Sequence, residues 1–177
     1  MIWDQLMESS QYHNRKKEIN KFNTENEFIK KGIAITPVKF GISFTTSFLN
    51  QAGALVNVYK DGTVLVNHGG TEMGQGLHTK IAQIAALEFG ISLDKVKVNA
   101  TNTSKVPNTS ATAASAGTDL NGAAVKNAIE KLKKRIAEVM AKEFNKSVGQ
   151  NSVTTKQENI IFEKDWIVDA ENPNRKI

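Results

Sequence analysis

The sequence predicts an α+β fold, a mixed sheet with helices packed on it. Three observations predict it: an Asp-Gly turn between two apolar runs, a helical face directly after the second run, and a long amphipathic stretch from about Ala123. A length of 177 residues admits one domain with a core and barely two, and 40% hydrophobic residues place the chain among globular sequences.

From the amino end, Trp3, Leu6 and Met7 recur at helical spacing, and Ile19, Phe22 and Asn23 repeat it. One or two helices are expected up to about Ile29, ended by Gly32. Ile33-Ala34-Ile35-Thr36 is a β-branched run closed by Pro37, where a strand stops or turns. Residues 40–48 read as strand-rich, with Phe44 on a core face and Thr45 on the opposite one. Residues 54–59 and 63–67 flank Lys60-Asp61-Gly62, which predicts a hairpin.

The hairpin runs into His68-Gly69-Gly70-Thr71-Glu72-Met73-Gly74-Gln75-Gly76, and Leu77, Ile81, Ile84, Ala85 and Leu87 then form a helix face ended by Gly90. Val96, Val98 and Ala100 alternate with polar residues as a strand does. Small and hydroxylated residues dominate 101–121, and Val125, Ile129, Leu132, Ile136 and Met140 then mark the long helix. Beyond Asn145 the chain is polar and loop-like until Ile160-Ile161-Phe162 and Trp166-Ile167-Val168, a short hairpin.

Charge and cysteine content exclude several classes. The net charge of +5 is concentrated in residues 126–146, with seven Lys/Arg against three Glu, and in 13–31, with six against three. Both are amphipathic helices, whose solvated faces account for the surplus, so nucleic acid is not an expected partner. No run of eighteen apolar residues is present and the first residues lack a basic start before an apolar stretch, so neither membrane nor secretion is expected, and a cytoplasmic location is. With no cysteine, an iron–sulfur cluster has no ligands here, and His13, His68 and His78 include no pair at i,i+4 spacing for a helical metal site.

Strand, glycine-rich turn and helix form an arrangement suited to anionic groups, because glycines let backbone N–H groups approach and the helix N-terminus adds a positive dipole end. Neither common nucleotide pattern is met. Gly74-Gln75-Gly76 lacks the third glycine of the dinucleotide fingerprint, and Gln75 stands where a P-loop needs Lys. Gln75 offers two donors and an acceptor without charge. It suits a polar cofactor edge, or equally a tight turn in which it ties loops together. Ala113 and Ala114 permit close approach of a ligand or close helix packing.

Together the stretches KFGISFTTSFLNQAGALVNVYKDGTVLVNHGGTEMGQGLHTK (39–80) and VPNTSATAASAGTDLNGAAV (106–125) closely resemble the molybdopterin-binding domain of xanthine dehydrogenases, and the lead-in SSQYHNRKKEINKFNTEN (9–26) is similar to the family as well. The resemblance covers most of residues 3–140 and becomes faint beyond Asn145. It implies a molybdenum cofactor in which the metal carries hydroxide, oxo and sulfido groups on a pterin dithiolene. The hydroxide attacks an electron-poor purine carbon, hydride passes to the sulfido sulfur, and electrons leave through 2Fe-2S clusters and FAD to NAD. The clusters and FAD are implied on other domains or subunits.

Carried over by position, Phe44 stacks on the purine, Thr45 hydrogen-bonds it, and Ala113 leaves it room. Met73, Gly74, Gln75 and Gly76 contact the pterin, with Gln75 on its polar edge and Ser115 assisting, and Ala114 lies beside the molybdenum. The family's general-base Glu lies after this region, and its substrate-orienting Glu and Arg, second Gln and second Phe lie before it. No catalytic residue is therefore expected in this chain, since a base must reach the proton it takes. The expectation is a fragment, inactive alone, with residues 1–145 a partial cofactor-binding domain and 146–177 a linker and hairpin. Its expected partners are the rest of the molybdenum domain and the iron–sulfur/FAD part. An aldehyde oxidase shares the pterin loop, but Thr71 and the VPNTS run favour a xanthine dehydrogenase; a non-catalytic protein keeping the fold for assembly is the alternative of another class.

Overall fold

The computed structural model describes residues 2–41, 43–104, 108–146 and 154–177. Lys105, Val106 and Pro107 of the small-residue stretch, and most of the polar loop expected after Asn145, lie outside the described residues. The chain divides into two compact units, Met1–Gly41 and Ile42–Ile177.

The first unit holds helices α1 (Ile2–Ser9) and α2 (Tyr12–Glu25), separated at Gln11, whose φ is 49°. Helix α2 ends well before Gly32. Asn26 leaves the helical region, and its side-chain amide donates to the Phe22 carbonyl at 2.8 Å. Asn23 then clamps the departing chain, its side chain accepting from the Lys31 amide at 2.8 Å and donating to the Lys31 carbonyl at 2.9 Å. Residues 33–36 form no strand, contrary to their β-branched composition, and among the described residues no edge pairs with them. Strand propensity records fit to a neighbouring strand, and none is supplied.

In the second unit β1 (Ala54–Val58) and β2 (Val64–His68) pair antiparallel, with Val56 opposite Val66. Asp61 shapes the turn by accepting from the Thr63 amide at 2.9 Å and from its hydroxyl at 2.7 Å. Helix α3 (Leu77–Phe89) carries the chain over the sheet to β3 (Val96–Val98), which pairs parallel with β2 and makes the sheet mixed. Helix α4 runs from Gly117 to Lys146, beginning six residues before the expected Ala123. The core joins Val56, Val64 and Val66 of the sheet to Leu77, Ile81, Ala85 and Phe89 of α3 and Val125 and Ile129 of α4.

Residues 40–48 were expected as strand. Among the described residues of this stretch there is one isolated bridge, Ser43 with Ser115, and a 3-10 turn begins at Ser47 (Ser47–Leu49). At the far end, β4 (Ile160–Glu163) and β5 (Trp166–Asp169) make the hairpin, and a third strand, β6 (Asn172–Lys176), adds to it. Ile160 packs on Ala137, Ala141 and Phe144 of α4. Tip residue Asp165 accepts from the Ser92 amide at 2.7 Å, just past the end of α3.

Candidate functional site

Strand β2 ends in two buried polar residues, Asn67 and His68, directly before the glycine loop. The His68 ring accepts from the Gly70 amide through Nδ1 at 3.0 Å, which requires the neutral ring with its proton on Nε2. Burial pulls the His68 pKa down to about 4, helped by neighbouring His78 and opposed by Glu72. The two imidazoles meet edge to face with centroids 5.3 Å apart. Gly70 is pressed against the core: a Cβ there would meet Leu77 Cδ2 at 2.6 Å and Asn121 Nδ2 at 2.8 Å. A larger residue would have to displace the Leu77 and Asn121 side chains, so glycine lets the chain pass this close to α3 and α4.

The Gly74, Gly76 and His78 amides are not open to an anion from outside. Glu72 turns back into the loop, one carboxylate oxygen accepting from Gly74 N at 2.9 Å and Gly76 N at 3.0 Å, the other from His78 N at 2.9 Å. These bonds, led by that from the His78 amide, hold the Glu72 carboxyl below its ordinary range. The positive end of α3 is thus met by the chain's own charge. Gln75 likewise serves its own loop, donating to the Thr71 carbonyl at 2.8 Å and accepting from the Met73 amide at 2.6 Å. One N–H and one oxygen lone pair of Gln75 remain for another group. Of the two readings of Gln75, the structure realises the loop-tying one while leaving capacity for the other.

Thr112 couples the second loop to the first, its hydroxyl accepting from the Thr71 amide at 2.8 Å. Ser110 and Gln51 fasten the segment from the other side: Gln51 N donates to Ser110 Oγ at 2.7 Å, and Ser110 N donates to Gln51 O at 2.9 Å. Between these ties the chain passes between two clefts. Ala114, with φ of 51°, faces a cleft of about 490 Å³ together with Met73, Gln75, Lys80, Thr112, Ser115 and the first turn of α4. Its neighbour Ala113 faces a smaller cleft of about 220 Å³ with Phe44, Leu49, Asn50 and Leu120. The structure therefore groups Met73, Gln75, Ala114 and Ser115 in one cleft and Phe44 with Ala113 in the other.

Thr45 is exposed and lines neither cleft; its carbonyl accepts from Ser47 N at 3.0 Å in the 3-10 turn. Gly74 and Gly76 are spent on Glu72 and line neither. Sequence reasoning missed Thr112, Lys80 and Thr118, which supply polar groups to the larger cleft, and it missed Glu72. A signal existed for Lys80, which lies one helical turn beyond Gly76 on α3.

With these two clefts in view, comparison with known proteins decides the family. A family profile described as a molybdopterin cofactor-binding domain matches residues 5–173. The chain belongs to the molybdopterin cofactor-binding domain family.

Its relatives within this family include the xanthine dehydrogenase/oxidase of Gallus gallus, 52% identical over 159 residues, and xanthine dehydrogenase 2 of Arabidopsis thaliana, 56% identical over 141 residues. The matches cover 90% and 80% of this chain but only 12% and 10% of those proteins, so the chain spans about a tenth of the length of the relatives it matches. Among solved structures it is similar in fold to quinoline 2-oxidoreductase from Pseudomonas putida 86, with TM-score 0.68 and 20% identity over 98% of this chain and 22% of that one. It also resembles a copper- and molybdenum-containing CO dehydrogenase, with TM-score 0.59 and 25% identity over 72% of this chain and 15% of that one. The α+β fold with a mixed sheet and the xanthine-dehydrogenase resemblance both stand.

Proposed function

We propose that this molybdopterin-binding chain forms one wall of a xanthine-dehydrogenase-type pocket, holding the pterin in the larger cleft and a purine in the smaller. The observation that carries the reading is the Ala113–Ala114 pair, which sets adjacent small residues on two different clefts. The polar set of the larger cleft fits a hydrogen-bonding cofactor: hydroxyls of Thr112, Ser115 and Thr118 and the Lys80 ammonium, with the Asp119 carboxylate in the first turn of α4 as an acceptor beside them. The spare N–H and lone pair of Gln75 suit a pterin edge, and Met73 gives an apolar cover.

When bound, the molybdenum cofactor supplies the oxygen and takes up the electron pair in hydroxylation of an electron-poor ring carbon. The chain's own residues orient and exclude. Phe44 offers a ring face for stacking, Ala113 keeps space clear for a flat heterocycle, and Leu49 and Leu120 keep water from that side. Among the described residues no carboxylate or imidazole lines the smaller cleft, so the proton acceptor is assigned to another part of the parent enzyme, as are the 2Fe-2S clusters and FAD.

The test is a chimera in which the matched segment of the Gallus gallus enzyme is replaced by this chain. Molybdenum content and xanthine oxidation are expected to be retained. Gln75→Ala is expected to lower bound molybdenum, and Phe44→Ala to lower kcat/KM for xanthine about tenfold with molybdenum unchanged. A chimera whose metal loading and turnover are indifferent to both substitutions overturns the reading.

A further inference from the structure

Strand β1 is the outer strand of the first sheet, and among the described residues no strand pairs with its free edge. Its polarity can be read from the turn. The Tyr59 amide donates to the Thr63 carbonyl at 2.9 Å, so the alternation of an antiparallel ladder points Asn57 and Leu55 toward β2 and turns the peptide groups of Val58, Val56 and Ala54 outward. On the opposite strand the same phase holds: the Val66 carbonyl, across from Val56, accepts from Asn99 N at 3.0 Å on the β3 side. Beside this edge lies a groove of about 630 Å³, floored by Leu132, Ile136, Val139 and Met140 of α4. Val139 is 60% exposed. The charged groups lining the groove are Lys60 and Arg135, and no ion pair is formed by either among the described residues.

An edge with outward N–H and C=O groups above an apolar floor favours one kind of occupant. A helix satisfies its own backbone and would leave the edge bare, whereas an extended strand satisfies every outward group and lays alternate side chains on the floor. Five residues of edge correspond to about 17 Å of strand. Lys60 and Arg135 call for a carboxylate on that strand. The source is given by length: the Gallus gallus relative is matched over only 12% of its length, so most of such a polypeptide lies outside the segment matched here.

We propose that the groove between β1 and α4 receives an extended, acid-bearing strand from the remainder of a xanthine-dehydrogenase molybdenum domain, continuing the first sheet beyond β1. The proposal rests on the pocket-wall reading for its choice of partner. It adds the surface through which the wall is built into the whole.

The experiment mixes the full 177-residue chain with Gallus gallus xanthine dehydrogenase lacking its own matching segment. Complex formation, amide exchange and molybdenum content are then measured. A complex is expected in which the Val56 and Val58 amides slow about tenfold or more, while Leu55 and Asn57, already bonded to β2, change little. Val58→Pro removes an outward donor without touching the β1–β2 ladder, and Val139→Glu places a charge on the floor. Each is expected to weaken the complex at least about tenfold, while Leu87→Glu, on the exposed face of α3, leaves it unchanged. Circular dichroism of the free variants confirms their fold, and Val139→Glu stands as the test if Val58→Pro does not fold. The proposal is overturned by a complex in which Val56 and Val58 exchange as fast as in the free chain, by equal affinity of all variants, by absence of any complex, or by a free chain already protected there as a dimer. A complex with the edge protected but no molybdenum supports the docking surface and sinks the pocket-wall reading instead.

Discussion

At the scale of single residues, the glycine loop is held by two ionisable side chains that both act deprotonated, one neutral and one charged. His68 must be neutral, because its Nδ1 accepts from Gly70 and its ring is buried. Its pKa falls from 6.5 unfolded to about 4 folded, so below pH 6.5 the unfolded chain binds the extra proton. Stability is therefore expected to be full above pH 6.5 and to decline as pH falls toward 4, by about 3 kcal/mol in all. Urea midpoints measured across that window check it, and a His68→Gln variant should lose most of the slope. Glu72 works lower on the scale. Its carboxyl pKa is depressed by three amides, so its contribution is present at neutral pH and lost as pH falls through the folded value. Glu72→Gln is expected to lower the unfolding midpoint at pH 7, with the difference from wild type closing in acid; a constant difference at every pH would sink the capping role.

At the scale of elements, helix α3 shows how a terminus becomes a joint. Gly90 ends it with φ of 64°, and its neighbour Ile91 donates back to Ala86 at 3.0 Å. The Gly90 carbonyl accepts from Asp165 N at 2.9 Å, and a Cβ at Gly90 would meet Glu163 Cα at 2.7 Å. Gly90→Ala thus combines left-handed strain with a clash against backbone, and a loss of about 2 kcal/mol or more is expected, measured by chemical denaturation. Gly62→Ala, at a φ of 81° with open space around it, should lose only the strain part. The helices and the Asp-Gly hairpin were legible because periodicity and turn chemistry are local. The start of α4 was not, since residues 117–123 hold a single large apolar side chain, Leu120, among polar and small ones and so mark no face. Residues 40–48 misled for the converse reason: their strand composition is satisfied only by pairing, and among the described residues they obtain a single bridge, from Ser43 to Ser115. For the candidate site, both loops stood out in sequence, but not that Ala113 and Ala114 open on different clefts or that Thr45 lies outside both. Those facts depend on a left-handed Ala114 and on ties to Gln51 and Thr71, made across 41 or more residues.

At the scale of the whole molecule, two forces act on the free chain in opposite directions. The net charge of +5 keeps copies apart, and its largest concentration lies on α4. Apolar side chains stand exposed on several faces of the second unit, among them Phe48, Leu55, Leu87 and Val139. Charge repulsion between copies is screened within about 10 Å at 0.1 M salt and within about 3 Å at 1 M, while apolar attraction is not weakened by salt. Self-association of the free chain is therefore expected to strengthen as salt is raised, with hydrophobic-dye fluorescence high in the low-salt monomer and falling as oligomers cover the exposed side chains. Sedimentation velocity across a salt series measures this directly. Val139→Glu should shift the onset to higher salt by removing apolar surface at the α4 groove. Association that weakens with salt would show copies meeting through ion pairs rather than through these apolar faces, and a dye-silent monomer at every salt concentration would show that the exposed residues form no contiguous patch.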